Sequence, residues 1–371
     1  MIPYVLLIFV PIMFNYVMVI KHDDGLNFGI GKSQYVKANS LALPVFFLIF
    51  ILLLMFRDET IGRDLRMYKI LFNSYIDDEF RTLMTFRLEF LFPVLCWIIG
   101  QVSSSYQLFL SVVALITVLP IASVYCDDRR HSYLKIIMFV NMVTFPMIFS
   151  GLRQAIAMAI GMLSYHFVRQ KKLVLFLITV LVALGFHHSA FILFFMYPLY
   201  HFSFRRRHLL FLIPIMVVVF VNNQQIFKHL MNILSMYFED YANVPLTFSN
   251  AYGSLVLFVL YTIFAYFIPD EKQMDHEIIG LRNYMILIVC IQCFAPLHPL
   301  AMRFNYYFMM FIPLLISKII DIPRTGFRQI AQYAEGALVL FFTFLFLYSI
   351  YTSSTTGIST LDTVPYKFFW S

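Results

Sequence analysis

The sequence predicts an all-α fold, a polytopic integral-membrane helix bundle of about 10–12 transmembrane helices. Three observations predict it. Of 371 residues, 61% are hydrophobic and only 13% charged, against roughly 25% charged in an average soluble domain. The 27 Lys and Arg with 20 Asp and Glu are too few to cover a globule of this length unless lipid covers much of it. Apolar runs of roughly 17–25 residues, the length that crosses the hydrocarbon as a helix, also recur along the whole chain. The mean hydropathy of +0.80 agrees. A cytosolic enzyme, a secreted disulfide domain and a disordered tail are excluded.

Taken in order, crossings are expected near residues 2–20, 39–56, 106–126, 134–150, 152–168, 209–223, 254–268, 277–296, 304–320 and 336–352. No basic n-region precedes the first run and no small-residue cleavage site follows it, so Met1 to Ile20 is expected to be a retained helix. Residues 88–104 are apolar but short, and Pro93 and Gly100 break them. Residues 173–200 are too long for one span and are interrupted at Gly185-Phe186-His187-His188-Ser189, so a re-entrant or broken helical hairpin is expected there. Residues 224–253 read as an external loop, and residues 1–371 as a single membrane domain.

Lys and Arg in short loops mark the cytoplasmic side. The densest clusters, Arg129-Arg130-Lys135, Arg169-Lys171-Lys172, Arg205-Arg206-Arg207 and Arg324-Arg328, are placed there. The net charge of +7 is therefore read as topology, and nucleic acid is not an expected partner. With Lys172 and Arg205 both inside, the hairpin between them goes in and comes back, and its histidines sit at the far side. The same reasoning puts Gly151 to Gln154 and Pro296 to Arg303 on that side. Arg153, His187, His188 and Arg303 thus converge on one face although far apart in sequence. Cys96, Cys126, Cys290 and Cys293 are too few for a disulfide framework, and the CxxC of the last two reads as small hydrophobes in a helix.

Arg153 begins a helix whose Gly151, Ala155 and Ala159 give a small-residue packing face. An arginine at membrane depth costs roughly 2.5–3.5 kcal/mol and needs an anionic partner, carbonyls or water. A structural ion pair would satisfy it. So would phosphate, which a guanidinium at a helix N-terminus binds with bidentate donors, with Gln154 as a further donor. Neutral imidazole suits general-base work. Adjacent helical residues point about 100° apart, so only one of His187 and His188 is expected to address a given pocket. No HExxH is present, and no Cys or carboxylate ligand stands at matching helix spacing, so neither metal nor other cofactor is expected. Arg303 precedes Asn305, Tyr306 and Tyr307, which could equally be interfacial anchors. Asp64 and Glu89 are the candidate acids. The acidic clusters Asp23-Asp24, Asp77-Asp78-Glu79 and Asp127-Asp128 read as solvated loop surface.

Several strings carry a resemblance. These are RDETIGRDLRMYKILF from Arg57 to Phe72, LEFLF from Leu88, GLRQAIAMAIG from Gly151 to Gly161, FHHSAFI from Phe186 to Ile192, AMRFNYYF around Arg303, and the terminal PYKFFW. In this order and spacing the chain resembles the EpsG-like family of Wzy-type polysaccharide polymerases from about residue 57 to its end. It has Arg63 between Gly62 and Asp64, where the family commonly has a small residue.

The resemblance implies an inner-membrane enzyme with a periplasmic site that joins undecaprenyl-diphosphate-linked oligosaccharide repeat units into O-antigen, capsule or exopolysaccharide, without metal and with inversion. It implies the lipid bilayer as surroundings and leaves room for a chain-length regulator protein as a partner. In this reading Arg153 and Arg303 bind the diphosphate and His187 activates the acceptor, while Arg57, Asp64, Gln154 and His188 support the substrate. His187 is preferred because the family-like pattern reads His, any residue, Ser, Ala. The Lys and Arg count alone would put the 57–87 loop in the cytoplasm; the resemblance puts residues 57–105 on the periplasmic face, with the 88–104 helix only partly inserted. The rivals are an O-antigen ligase or polyprenyl-phosphate-sugar-dependent glycosyltransferase, for which Asp64 would outrank Arg153, and a flippase or transporter, which should show paired broken helices.

Overall fold

The computed structural model describes residues 1–23, 41–78, 89–236, 246, 251–323 and 325–371. The 24–40 stretch of the first loop, Glu79, Arg87, Arg324 and most of 237–250 lie outside them. Among the described residues the fold is helical throughout, with only isolated backbone bridges at Arg57–Phe368 and Pro269–Pro323. The chain divides into two compact units, Met1–Leu193 with Tyr333–Ser371, and Phe194–Gln332. The boundary falls within the second arm of the expected hairpin.

The first unit contains α1 (Ile2–Asp23), α2 (Ala42–Met55), α3 (Leu65–Asp77), α4 (Leu91–Gly100), α5 (Tyr106–Asp127), α6 (Ser132–Asn141), α7 (Thr144–Ser150), α8 (Leu152–Arg169) and α9 (Leu173–Phe186). Segment 56–105 leaves and returns to one end of this unit. α2 ends at Met55, whose carbonyl accepts from Gln107 Nε2 at the start of α5, and Tyr106 Oη donates to Leu65 O at 2.8 Å. α3 is amphipathic. It buries Leu65, Tyr68 and Phe72 against Phe92 and Cys96 of α4 and Phe109 of α5, so this short pair packs onto the start of α5. The 57–64 loop is tied down by the C-terminal segment: Asp58 N donates to Lys367 O and Phe369 N to Phe56 O, both at 3.0 Å, and Tyr366 Oη to Leu53 O at 2.6 Å.

The expected spans are present as helices, but many are interrupted. α5 and residues Tyr333–Thr356 are each long and apolar enough to cross a membrane alone. The expected 134–150 crossing is instead α6 and α7, bent by 61°. Pro146 explains the break, since in a continuous helix its ring would strike the carbonyl of Met142, and Met142 is extended at ψ 144. Ala42–Met55 and Leu173–Phe186 are shorter apolar helices. The 173–200 segment is indeed broken. α9 stops at Phe186, His187 is extended (φ −155, ψ 125), and His188–Phe195 continue as a 3-10 helix.

The second unit holds α10 (Met196–His201), α11 (Leu209–Val221), α12 (Asn223–Ser235), α13 (Tyr252–Phe267), α14 (His276–Gln292), α15 (Pro299–Met309) and α16 (Ile312–Ile319). α14 is its core. Asp275 caps it by accepting from Ile278 N at 2.8 Å, and Asn283 Nδ2 donates to Leu199 O at 2.8 Å and Phe202 O at 2.5 Å, holding α10. Arg282 is buried; its Nη1 meets Glu271 at 3.3 Å and its guanidinium lies 4.3 Å from the Tyr266 ring centroid. The expected 304–320 crossing is two helices, and Pro313 near the start of α16 accounts for the stop at Met309. α17 (Arg328–Thr356) follows, and from Tyr333 onward it belongs to the first unit.

Candidate active site

The site forms at the end of the first unit where α8 begins. Its base is the turn Phe149-Ser150-Gly151, which aims Arg153 from the first turn of α8. The 57–68 loop lies directly on this turn. Gly62 has φ +121, and a Cβ there would stand 2.3 Å from Phe149 O, so only glycine permits the approach. Arg57 is fully buried, donates through Nη1 to Phe149 O at 2.8 Å and stands 5.6 Å from the Phe149 ring centroid. Ser150 Oγ donates to Asp64 Oδ2 at 2.9 Å and accepts from Asp64 N at 3.3 Å. The backbone N–H of Arg153 donates to Tyr68 Oη at 3.4 Å. Arg57 and Asp64, expected to touch substrate, here hold the turn that carries Arg153.

Glu89 ties the remaining groups together. It stands just before α4, where Pro93 and a run of apolar side chains turn the chain inward. Its Oε2 accepts from Arg153 Nη1 at 2.6 Å. Its Oε1 accepts from His187 Nδ1 at 2.6 Å, from His188 N at 2.9 Å and from His188 Nδ1 at 2.5 Å. Gly185 eases this approach of α9 to α4, because a Cβ there would stand 2.5 Å from Leu91 Cδ1 and displace that side chain. One expectation is corrected. The two imidazoles address the same oxygen, with ring centroids 4.7 Å apart, because His187 is extended and the 100° helical rotation does not apply. The carboxylate that stands with the histidines is not one at helix spacing but is supplied from nearly a hundred residues away.

The electrostatics follow. Burial works to raise the Glu89 carboxyl, but the hydrogen bonds of His187 and His188 and the charge of Arg153 outweigh it and hold the group well below the usual carboxylate range. An ionised carboxylate only accepts, so Nδ1 of His187 carries the hydrogen and Nε2 keeps the lone pair. Burial pulls His187 below its ordinary value against the opposing pull of Glu89, so the imidazole is neutral near pH 7. This is the arrangement of a general base oriented by a carboxylate, beside a guanidinium whose buried Nε has no hydrogen-bond partner.

Glu89, His187 and His188 also bring one carboxylate oxygen and two ring nitrogens within 4.8 Å of one another, a donor set suited to a transition metal. The fit is poor as the site stands. Bonds of 2.0–2.1 Å to a tetrahedral ion would separate ligands by roughly 3.3 Å, whereas the oxygen and nitrogens lie 2.5–2.6 Å apart, at hydrogen-bond distance. Arg153 on the same carboxylate opposes a further positive charge.

Gln154 follows Arg153 on α8 and is buried. Arg303 lies in the second unit, exposed on α15, where burial and its charge lower His298. Glu89, a candidate acid given no role from the sequence, and Tyr68, not a candidate at all, are the members that the structure adds to the site. A signal for Glu89 was present: an acid immediately before an apolar run is desolvated and requires cations.

Five of the six strings that carry the resemblance meet in the first unit; the sixth, around Arg303, is in the second. A model of the EpsG family matches residues 40–368, beginning before the first of those strings. No curated protein and no solved structure matches the chain. With a match over nearly its whole length, the chain belongs to the EpsG family.

Proposed function

We propose that the protein joins undecaprenyl-diphosphate-linked oligosaccharide units into a surface polysaccharide at the periplasmic face. EpsG-like proteins are similar to Wzy-type polymerases, and the apolar helices support a membrane location. The observation that carries the reading is the Arg153–Glu89–His187 array, an anion-binding guanidinium and an oriented base held by one carboxylate. A hydroxyl oxygen of the incoming unit attacks the anomeric carbon of the donor sugar. Its proton passes to Nε2 of His187, the bond from that carbon to the diphosphate oxygen breaks, and the diphosphate leaves with the electron pair. Arg153 offsets the growing negative charge as preorganised electrostatic stabilisation. Glu89 fixes the His187 tautomer and stabilises the imidazolium that forms. Both its oxygens are engaged, so it orients rather than attacks, and a single displacement with inversion follows. Arg303 is proposed as a second diphosphate contact.

Deletion of the gene tests the reaction. Loss of polymerisation leaves single repeat units on their final acceptor; long chains retained on undecaprenyl would instead indicate a ligase, and unexported units a flippase. Complementation with Arg153→Lys and His187→Ala tests the roles, since lysine lacks the planar fork. Full chain length in either variant would remove that residue from the mechanism. The face is tested by Asp64→Cys: an impermeant thiol reagent should label it in whole cells, and labelling only after the cytoplasmic face has been opened to the reagent would reverse the assignment.

A further inference from the structure

We infer that α12 is an in-plane membrane helix that seats the second unit in the lipid–water interface, on the side opposite the Arg205-Arg206-Arg207 cluster. The helical segment 206–221 contains α11, and its axis turns by 81° at Asn222 into residues 223–233. A helix that runs along the membrane normal and then turns by nearly a right angle continues close to the membrane plane. Residues 206–221 cover about 24 Å at 1.5 Å per residue, so the turn falls near the far boundary of the hydrocarbon core.

α12 has three sides. Phe227 and Met231 are buried against its own unit: the Phe227 ring lies 6.4 Å from Phe294 and 6.2 Å from His298, and Asn223 Nδ2 donates to Cys293 O at 3.0 Å. Gln225, Lys228, His229 and Asn232 form an exposed polar side. Between the two, Leu230 and Ile233 are 42% and 54% exposed, next to the half-buried Ile226. A helix on a water-facing surface does not need this third, apolar side. Before the bend, α11 likewise exposes apolar side chains, among them the row Leu210, Phe211, Ile215, Val218 and Val221. That row is the face a membrane span offers to lipid, and Lys228 supplies charge that suits headgroup phosphate. The occupant of the Leu230–Ile233 side is therefore the upper acyl region of the bilayer. The contact also sets depth: α12 is locked onto Phe294 and His298, nine and five residues before Arg303 in the chain, and so holds Arg303 at headgroup level. This placement does not depend on the glycosyl-transfer reading.

The test uses the otherwise native full chain in phosphatidylcholine and phosphatidylglycerol vesicles, with Ile233→Trp or Gln225→Trp added and the native tryptophan signal subtracted. An in-plane helix sinks its apolar side ~5–10 Å, so bromines near the top of the acyl chains should cut the added Ile233→Trp emission roughly twofold. Aqueous iodide should leave Ile233→Trp unaffected and quench Gln225→Trp. Equal iodide quenching at both positions would place the helix in water. Protection of Ile233→Trp from both quenchers would mean that protein covers it, and equal quenching of both by bromines at the acyl ends would mean a crossing helix. Each of these three results overturns the inference.

Discussion

At the end of the first unit where α5 finishes, Arg130 pairs with Asp128 at 2.8 Å and Arg169 with Asp127 at 2.9 Å. His166 joins Asp127 at 3.4 Å. At the end where α8 begins, Glu89 gathers Arg153, His187 and His188 at 2.5–2.6 Å. Both ends use the same side-chain types, yet they differ in surroundings. The carboxylate of Asp127 is 38% exposed and that of Glu89 19%, with His187 at 10%. Water screens the first set, and exposed pairs of that kind contribute about 0–1 kcal/mol each. The second set is half withdrawn from water, so removing one member leaves the others with desolvation that nothing offsets. The charges at the α5 end form exposed pairs, while the few at the α8 end are withdrawn from water, where a reaction can be supported.

The largest expected effect comes from breaking that array at its centre. Glu89→Gln leaves Arg153 without its anion and frees the His187 ring to adopt either tautomer. An oriented general base is worth about 10²–10⁴-fold in rate, so polymer formation in membranes carrying Glu89→Gln should fall by roughly that factor, as should that of His187→Ala. Unchanged chain length in Glu89→Gln would mean that the network is only structural, and the contrast between the two ends would lose its functional meaning.

How much of this was legible in the sequence varies by residue. Arg153 and His187 were readable as candidates because a cation or an imidazole stands out against apolar runs. The order of the helices was readable from the same runs. The breaks at Met142 and Met309 were written in Pro146 and Pro313, but apolar length masked them. Glu89 was the hardest to assign. Its partners are 64 and 98 residues away, and pairing across that distance depends on α4 and α9 packing together at Gly185. The roles of Arg57 and Asp64 could not be read either, because a buried guanidinium that supports a turn and an exposed one that binds phosphate have the same local sequence.

A finer test of the array is its pH dependence. The active base is neutral His187, so the rate should be level above its pKa and fall as pH drops through it. Burial depresses that pKa first of all, and the charge of His188 lowers it further. His188→Asn removes that contribution, so the acid limb of the pH–rate profile should move to higher pH while the plateau changes less than in His187→Ala. A limb that stays in place would remove His188 from the electrostatics of the base.

Smaller again is the effect of the scaffold under Arg153. Asp64→Ala loses the Ser150 hydrogen bond, which on the ordinary scale is worth about 0.5–1.5 kcal/mol. If Asp64 only positions the turn, the rate should fall by about tenfold or less, and Ser150→Ala should match it. A loss as deep as that of His187→Ala, with Ser150→Ala unaffected, would instead make Asp64 a substrate contact, as a polyprenyl-phosphate-sugar donor would require.

The smallest change is expected at the α5 end. Asp127→Asn deletes the partner of Arg169 and His166, yet both cations remain near water, so thermal stability in detergent should shift by no more than about 1 kcal/mol. Raising the salt towards about 1 M should shrink even that difference, since the screening length then falls to about 3 Å, near the separation of the pair. Polymer length should match wild type. The salt series tests the comparison most directly, because the same treatment of Glu89→Gln should leave its defect intact: a half-buried network is screened far less than one bathed in solvent.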